Sequence, residues 1–288
     1  MNLRKIIQML VICVFLTMPL LAQEDEEKEE PKYGWDNKFI GTLNLSQTSL
    51  NNWPAGGDNS WNWLLNFNGS FVDKQEAYDW ANTLRMQYGQ SKIGSDDMRK
   101  TDDEFFFESV FTYKVWNTLN PYVAITAQTQ FTEGFDYSTD PKTKISNFLD
   151  PGFFRQGIGI DYKPEETFKT RLGLAFKQTV ADEFAAIWSD DPDTPDEIET
   201  LRSEVGLESV TDFSINVSEL IVYVTKLQLF SNLNRVDEID VNWDNLFSAK
   251  VADYLSVTLS VVLVYDKDIS LQRQLKQTLA VGLTYSFL

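Results

Sequence analysis

Apolar and polar residues alternate along most of this sequence, and this period of two constrains the fold more than any other feature. In residues 61–71 the odd positions hold Trp, Trp, Leu, Phe, Gly and Phe, whereas the even positions are mostly Asn and Ser. Successive side chains of a β-strand point to opposite faces, so the pattern predicts strands with one apolar and one polar face. No long segment keeps the period of an amphipathic helix.

Alternation of this kind predicts about 12 strands. They fall at residues 39–46, 61–71, 78–88, 105–113, 123–131, 154–162, 168–177, 201–209, 215–231, 241–250, 255–265 and 275–287. An even number lets both ends of a closed sheet lie on the same side. Residues 201–231 can be divided into strands in more than one way, so the count holds to within about two strands.

The connections between these segments alternate in length. Long connections are predicted at residues 47–59, 89–102, 133–149 and 180–200, and short ones at 73–77, 115–120, 163–166 and 210–214. Outer-membrane barrels have short periplasmic turns and long outer loops, whereas a soluble barrel or sandwich, the alternative with the same alternation, needs no such asymmetry. The expected fold is therefore all-β, an antiparallel transmembrane β-barrel of about 12 strands.

The N-terminal segment predicts export. Residues 1–22 combine Arg4 and Lys5 with an apolar stretch and a small residue at Ala22, as a secretory signal peptide does. A transmembrane anchor, the alternative, needs about 20 apolar residues, and polar residues interrupt this segment. Residues 23–36 predict an acidic, disordered leader and residues 37–288 the barrel. The expected location is the cell outer membrane.

The composition excludes several function classes. The 288 residues include no His and one Cys, Cys13, so histidine-based hydrolysis, histidine-ligated zinc and an intrachain disulfide are unavailable. A formal net charge of -18 argues against nucleic acid as a partner. We therefore expect no enzyme activity and no cofactor. A carboxylate-only enzyme is the third alternative, although no catalytic pair can be singled out among 43 acidic residues.

The polar faces of the predicted strands carry charges of both signs. We expect ten of these side chains to point into the barrel lumen: Arg85, Glu108, Arg155, Asp161, Lys169, Arg171, Lys177, Arg202, Glu204 and Glu208. Buried charges must be paired or hydrated. These residues therefore form either an internal ladder of salt bridges or the lining of a water-filled pore whose charge selectivity they set.

Two predicted loops carry candidate ligand-binding residues. Residues 52–57 read Asn-Trp-Pro-Ala-Gly-Gly, and this segment either latches the barrel mouth or binds a ligand, such as a sugar, through Trp53 and Asp58. The second loop could hold a calcium ion through its acidic residues, Asp190, Asp191, Asp193 and Asp196. It lacks the ordered spacing of an EF-hand, so a solvated surface loop is favoured and no metal site is expected.

The C-terminus predicts a partner. Residues 283–288 read Leu-Thr-Tyr-Ser-Phe-Leu, which resembles the C-terminal signal by which the assembly machinery of the outer membrane recognises barrels. The segment departs from that signal in ending on Leu288 rather than on an aromatic residue, and a plain edge strand is the alternative. The expected partners are this machinery, through the last strand, and outer-membrane lipid.

Four short segments resemble one protein family. They are residues 49–60, which read SLNNWPAGGDNS, and residues 88–89, 146–151 and 229–231. The sequence is similar here to an uncharacterised family of exported Bacteroidota proteins, the domain of unknown function 3078. This resemblance implies an outer-membrane barrel and adds no catalytic residue. The expected function is thus a non-enzymatic barrel, either a small passive pore or a structural barrel. A ligand-binding or adhesive barrel that acts through its outer loops is the alternative.

Overall fold

The strands of a computed structural model follow the alternation in the sequence. The structure describes residues 33–52, 54–55, 57–191, 194 and 196–288. The predicted signal peptide and most of the predicted leader lie outside these residues. Strand and helix bounds are β1 Gly34–Thr48, β2 Ser60–Lys74, β3 Tyr78–Ile93, β4 Arg99–Tyr113, β5 Leu119–Thr129, β6 Gly134–Asp136, β7 Thr143–Ser146, β8 Gly152–Glu165, β9 Phe168–Val180, α1 Ala185–Trp188, β10 Leu201–Ser218, β11 Ile221–Asn232, β12 Ile239–Ala252, β13 Leu255–Tyr265 and β14 Gln274–Ser286.

Twelve of these strands form one closed antiparallel barrel, in the ring order β1-β14-β13-β12-β11-β10-β9-β8-β5-β4-β3-β2. β1 closes the ring by pairing with β14, from Ile40 opposite Ser286 to Asn44 opposite Gly282. β6 and β7 pair with each other in a separate hairpin, so β5 pairs directly with β8. The closed ring confirms the predicted antiparallel barrel of 12 strands and leaves no edge of the kind that a two-sheet sandwich would have.

The predicted loop pattern is corrected at two places. The turn predicted at residues 210–214 is wrong, because β10 runs through it to Ser218 and the turn follows at residues 219–220. The polar residues there have partners on neighbouring strands: Thr211 shares a 2.9 Å hydroxyl contact with Thr170 on the outer face, and Asp212 lies 3.8 Å from Lys226 on the inner face. The long loop predicted at residues 89–102 is also shorter, since β3 and β4 leave only residues 94–98 between them.

The outer surface of the barrel is apolar. Side chains at its middle point outward without protein cover: Leu172 is 63 % exposed and Leu279 is 74 % exposed. Aromatic residues lie at the short-turn end, where the rings of Trp35 and Trp80 are 6.0 Å apart and Phe287 packs against Phe39 at 5.6 Å. An apolar band bordered by aromatic rings is the surface of a barrel that spans a bilayer.

Within the part of the chain that the structure describes, no helix is both long enough and apolar enough to cross a membrane.

Candidate functional site: the barrel lumen

Glu108 lies at the centre of an ion-pair network inside the barrel. Because β4 alternates, Phe106 and Glu108 both point inward, and both are buried. The Glu108 carboxylate accepts hydrogen bonds from Arg171 of β9 at 2.9 Å and from Lys226 of β11 at 2.7 Å. Four strands separate β4 from β11 one way around the ring and six the other way. The contact between Glu108 and Lys226 therefore spans the lumen.

Arg85 makes a second contact across the lumen. Its guanidinium lies 3.2 Å from Asp244 of β12 and 3.5 Å from Glu104 of the neighbouring strand β4. Four strands separate β3 from β12 by the shorter route around the ring. The Arg85 guanidinium also lies over the ring of Phe106, at 4.4 Å from its centroid. Each charge thus has an opposite partner, and apolar surface packs between the pairs.

The part of the lumen beside β5, β8, β9 and β10 is filled by inward side chains. We call this part the charged side of the lumen. The Tyr122 hydroxyl donates to Glu208 at 3.0 Å, and Arg155 lies 3.9 Å from the same carboxylate. The ring of Phe230, only 2 % exposed, packs against the inward Gly206 of β10. A Cβ atom at Gly206 would lie 2.5 Å from that ring, and one at Gly157 would collide with Glu208. Glycine therefore makes room for large polar and aromatic side chains.

A further cluster occupies the loop end of the charged side. Lys177 contacts Asp240 at 2.7 Å, Asp266 at 3.1 Å and Glu204 at 3.4 Å. Arg202 lies 3.5 Å from Glu204 and 3.7 Å from Asp268. Burial raises the pKa of the Asp268 carboxyl, which lies in the loop after β13. A cavity of only about 10 Å³ remains beside this cluster, which is about the space of one water molecule.

All ten charged residues predicted for the lumen belong to inward-facing ion pairs. Asp161 and Lys169, the pair nearest the short turns, are 3.3 Å apart. The sequence prediction missed other members of the network: Glu104, Lys226, Asp240, Asp244 and Asp266. Asp240 and Asp244 alternate with Val241 and Trp243, so the period of two in β12 was a signal that could have found them.

The wall of the lumen opposite the charged side differs from it in side-chain chemistry and in packing. We call this wall the neutral side of the lumen. It includes seven inward residues on β1, β2, β13 and β14 with uncharged polar side chains: Thr42, Asn66, Asn68, Ser70, Thr258, Ser260 and Thr278. The inward face of β1 also carries Ile40 and, nearer the short turns, Lys38 and Asp36, whose charged groups are 3.7 Å apart. Their register with known inward residues fixes their direction, since Asn68 is paired with Arg85. Asn68 is exposed and the other six are partly exposed, whereas Glu108, Arg171 and Glu208 are buried. Solvent space in the lumen therefore borders the neutral side.

One ion pair spans the loop end of the neutral side. Lys276 of β14 contacts Asp102 of β4, and β1, β2 and β3 lie between these two strands in the ring. The Lys276 side chain is 52 % exposed, so water screens this pair far more than it screens the Glu108 contacts. The pair therefore narrows the lumen at its loop end, beside the inner faces of β1, β2 and β3.

The structure describes only some of the candidate ligand-binding residues in the predicted loops. Trp53 and Asp193 lie outside the described residues, and Asp58 lies in an exposed part of the loop between β1 and β2. The backbone carbonyl of Asp190 accepts a hydrogen bond from Arg202 at 3.1 Å, and the Asp191 carboxylate lies 3.4 Å from Arg235. Among the residues that the structure describes, no three acidic or cysteine side chains are grouped as a metal site.

The fold and the apolar exterior define a transmembrane β-barrel. Residues 45–135 match the profile of a family described as a protein of unknown function, DUF3078. The matched segment contains residues 49–60 and 88–89 of the sequence resemblance, while residues 146–151 and 229–231 lie beyond it. None of the curated proteins matches the chain.

Solved structures that are similar to this chain include a translocator domain, an outer membrane channel and a porin. The translocator domain of the autotransporter NalP from Neisseria meningitidis is 13 % identical, with a TM-score of 0.40, and the alignment covers 91 % of this chain and 90 % of that domain. The COG4313 outer membrane channel from Pseudomonas putida F1 is 7 % identical, with a TM-score of 0.38 and coverages of 92 % and 99 %. The KdgM porin is 9 % identical, with a TM-score of 0.32 and coverages of 87 % and 99 %.

Proposed function

We propose that this chain is an exported outer-membrane barrel without enzyme activity, and that it forms a narrow passive pore along the neutral side of its lumen. The observation that carries the proposal is the exposure of Asn68, which lies in the middle of β2 and points inward. A barrel filled by its own side chains would bury such a residue, as it buries Val210 of β10 to 5 % exposure. Solvent access at mid-height on one wall supports a continuous path beside the packed charges.

The charged side has a structural role in this proposal. Its carboxylates and cations are paired at 2.7–3.9 Å and are enclosed by Phe106, Tyr122 and Phe230. A charge that is held by an opposite partner and buried in this way has little access to a passing ion. Nine of the ten charged residues predicted from the sequence thus stabilise the barrel cross-section away from the conducting path, whereas Arg85, which is registered opposite Asn68, borders it.

Single-channel recording with cysteine modification tests the pore. Cys13 is the one cysteine of the sequence, so a Cys13→Ser chain provides a thiol-free background. We expect discrete conductance steps in planar bilayers, and block of the Asn68→Cys variant by a bulky methanethiosulfonate reagent. Leu207→Cys, on the lipid-facing surface of β10, is the matched control and should conduct normally after the same treatment. A folded, inserted chain that never conducts would overturn the pore and leave a structural barrel.

The C-terminal strand supports recognition by the outer-membrane assembly machinery. β14 closes the barrel with five registered residue pairs to β1, whereas β1 and β2 share fifteen. Phe287 packs on Phe39 and Phe67 at this short seam, so the last residues of the chain complete the barrel. Phe287→Ala should therefore lower the amount of folded barrel in outer-membrane fractions of an expressing cell. Refolding of the same variant in detergent separates a lost recognition signal, which leaves refolding intact, from a loss of packing.

A further inference from the structure

The neutral side of the lumen has a chemistry that favours one class of solute. Most of its polar side chains are hydroxyls and primary amides, such as Thr42, Asn66, Asn68 and Thr278, and each of these groups offers both hydrogen-bond donors and acceptors. The hydroxyl of Thr284 lies 2.8 Å from that of Ser256 and 3.3 Å from that of Thr42 on the opposite neighbouring strand. A band of such groups can replace the hydrogen bonds that a polar solute gives up when it loses water.

The charges that border this path are neutralised in pairs. Arg85 is held by Glu104 and Asp244, and Lys276 is held by Asp102. Lys38, which is registered opposite Ser70, lies 3.7 Å from Asp36. No formally charged residue stands between Asn66 and Ser70 on the inner face of β2, in a segment that the structure describes in full. An ion in a narrow path needs fixed charge or oriented dipoles to offset the loss of its hydration shell, and pore selectivity follows from the presence of such groups. Paired charges produce a weak net field and provide little of that compensation.

From this lining we infer that the pore passes small uncharged hydrophilic solutes, such as polyols, in preference to inorganic ions. The inference rests on the proposed pore and assigns it a solute class. The sequence alone indicates the opposite, because the conspicuous inward residues are charged. The structure separates most of the two sets: the buried charged residues pack against one another on one wall, and the hydroxyl and amide residues keep solvent access on the other.

The test compares two fluxes in the same proteoliposomes. Erythritol entry is followed by osmotic swelling, and potassium chloride flux is followed by an ion-sensitive electrode. We expect erythritol entry roughly ten-fold above that of protein-free vesicles, with a rise in potassium chloride flux that is measurable but several-fold smaller. Absence of both fluxes in a folded, inserted protein overturns the proposed pore itself. Potassium chloride flux that rises as much as erythritol entry overturns only the solute class.

A matched pair of variants tests whether the neutral side sets the selectivity. Thr42→Asp adds one charge at an inward position whose registered neighbours, Asn66 and Thr284, are uncharged. Asn117→Asp adds the same charge in the short turn between β4 and β5. We expect Thr42→Asp to raise potassium permeation several-fold relative to chloride, measured as the reversal potential in a salt gradient, and Asn117→Asp to leave it unchanged. Heat-modifiable electrophoretic mobility verifies that each variant is folded. Equal reversal potentials for the two folded variants would show that solute does not pass the neutral side, and would overturn the inference.

Discussion

Glu108 and Lys226 meet across the lumen, with the Lys226 ammonium donating a hydrogen bond of 2.7 Å to the Glu108 carboxylate although 118 residues separate them in the chain. The other oxygen of the same carboxylate accepts a 2.9 Å hydrogen bond from Arg171. One acidic side chain of β4 therefore joins β9 and β11. These contacts hold opposite walls together, so they should contribute to the stability of the barrel more than any exposed pair on its loops.

Removing the charge of Glu108 should destabilise the barrel strongly. Glu108→Gln leaves Arg171 and Lys226 without their shared carboxylate, and breaking a buried pair in this way costs about 3–5 kcal/mol. The measurement is the free energy of unfolding by urea in detergent micelles. The double variant Glu108→Gln/Lys226→Met should recover part of the loss, because one unpaired cation is removed with it.

The control for this prediction is a solvent-exposed pair. Lys250 and Asp253 are 3.1 Å apart at a short turn, with side chains 57 % and 86 % exposed. Lys250→Met should leave the free energy of unfolding nearly unchanged, as exposed ion pairs contribute little. Equal losses for Lys250→Met and Glu108→Gln would contradict the role assigned to the network in the lumen.

We expect that Gly206, on the charged side of the lumen, cannot be replaced by a residue with a side chain without loss of stability. Gly206→Ala places a Cβ atom 2.5 Å from both the Phe230 ring and the Ser231 carbonyl, and overpacking of this kind costs about 1–3 kcal/mol. Gly69→Ala is the matched control, since its nearest neighbour is the Phe71 ring on the lipid-facing surface, which can move outward. Thermal unfolding in micelles should show a larger decrease in Tm for Gly206→Ala. A larger decrease for Gly69→Ala would mean that the charged side is not tightly packed.

The sequence predicted those features of the fold that depend on the local alternation of apolar and polar residues. Strand positions, the inward direction of Arg171 and Glu108, and the closed ring follow from a period of two and from loop lengths. The partners of these residues could not be predicted, because the contact of Glu108 with Lys226 depends on how strand register accumulates around the ring. The turn predicted at residues 210–214 was wrong for a related reason: in this barrel, polar residues inside a strand find partners on neighbouring strands. The sequence analysis did not predict the difference between the charged and neutral sides of the lumen. The inward glycines of β8, β9 and β10 could have indicated that the charged side is tightly packed.

The pair formed by Lys276 and Asp102 should limit conductance at the loop end of the pore. Lys276→Met removes a cross-lumen contact that is half exposed, so the barrel should stay folded while the outer end of the path widens. Single-channel conductance should rise, by roughly two-fold or less for the opening of one narrow section. Lys267→Met is the control, because Lys267 pairs with Glu238 between two outer loops, where the hydrogen bond to Glu238 raises the pKa of Lys267. If both variants change conductance alike, the pair at Lys276 does not narrow the path.

Asp150 should hold the two longest loops of the barrel together. Its carboxylate accepts hydrogen bonds from the backbone N–H groups of Asp182 at 3.0 Å, Glu183 at 2.9 Å and Phe184 at 3.4 Å, so residues before β8 fix the start of the segment that follows β9. Asp150→Ala removes these three acceptor contacts, and residues 181–200 should then be cleaved faster by a protease added to intact proteoliposomes. Asp136→Ala is the matched control: that carboxylate accepts bonds only from Ser138 in its own hairpin, among the contacts described for it, and its loss should leave cleavage at residues 181–200 unchanged. Equal cleavage rates for Asp150→Ala and the parent chain would show that other contacts, such as the hydrogen bond from Trp188 to the Ile145 carbonyl, are enough to hold the loops.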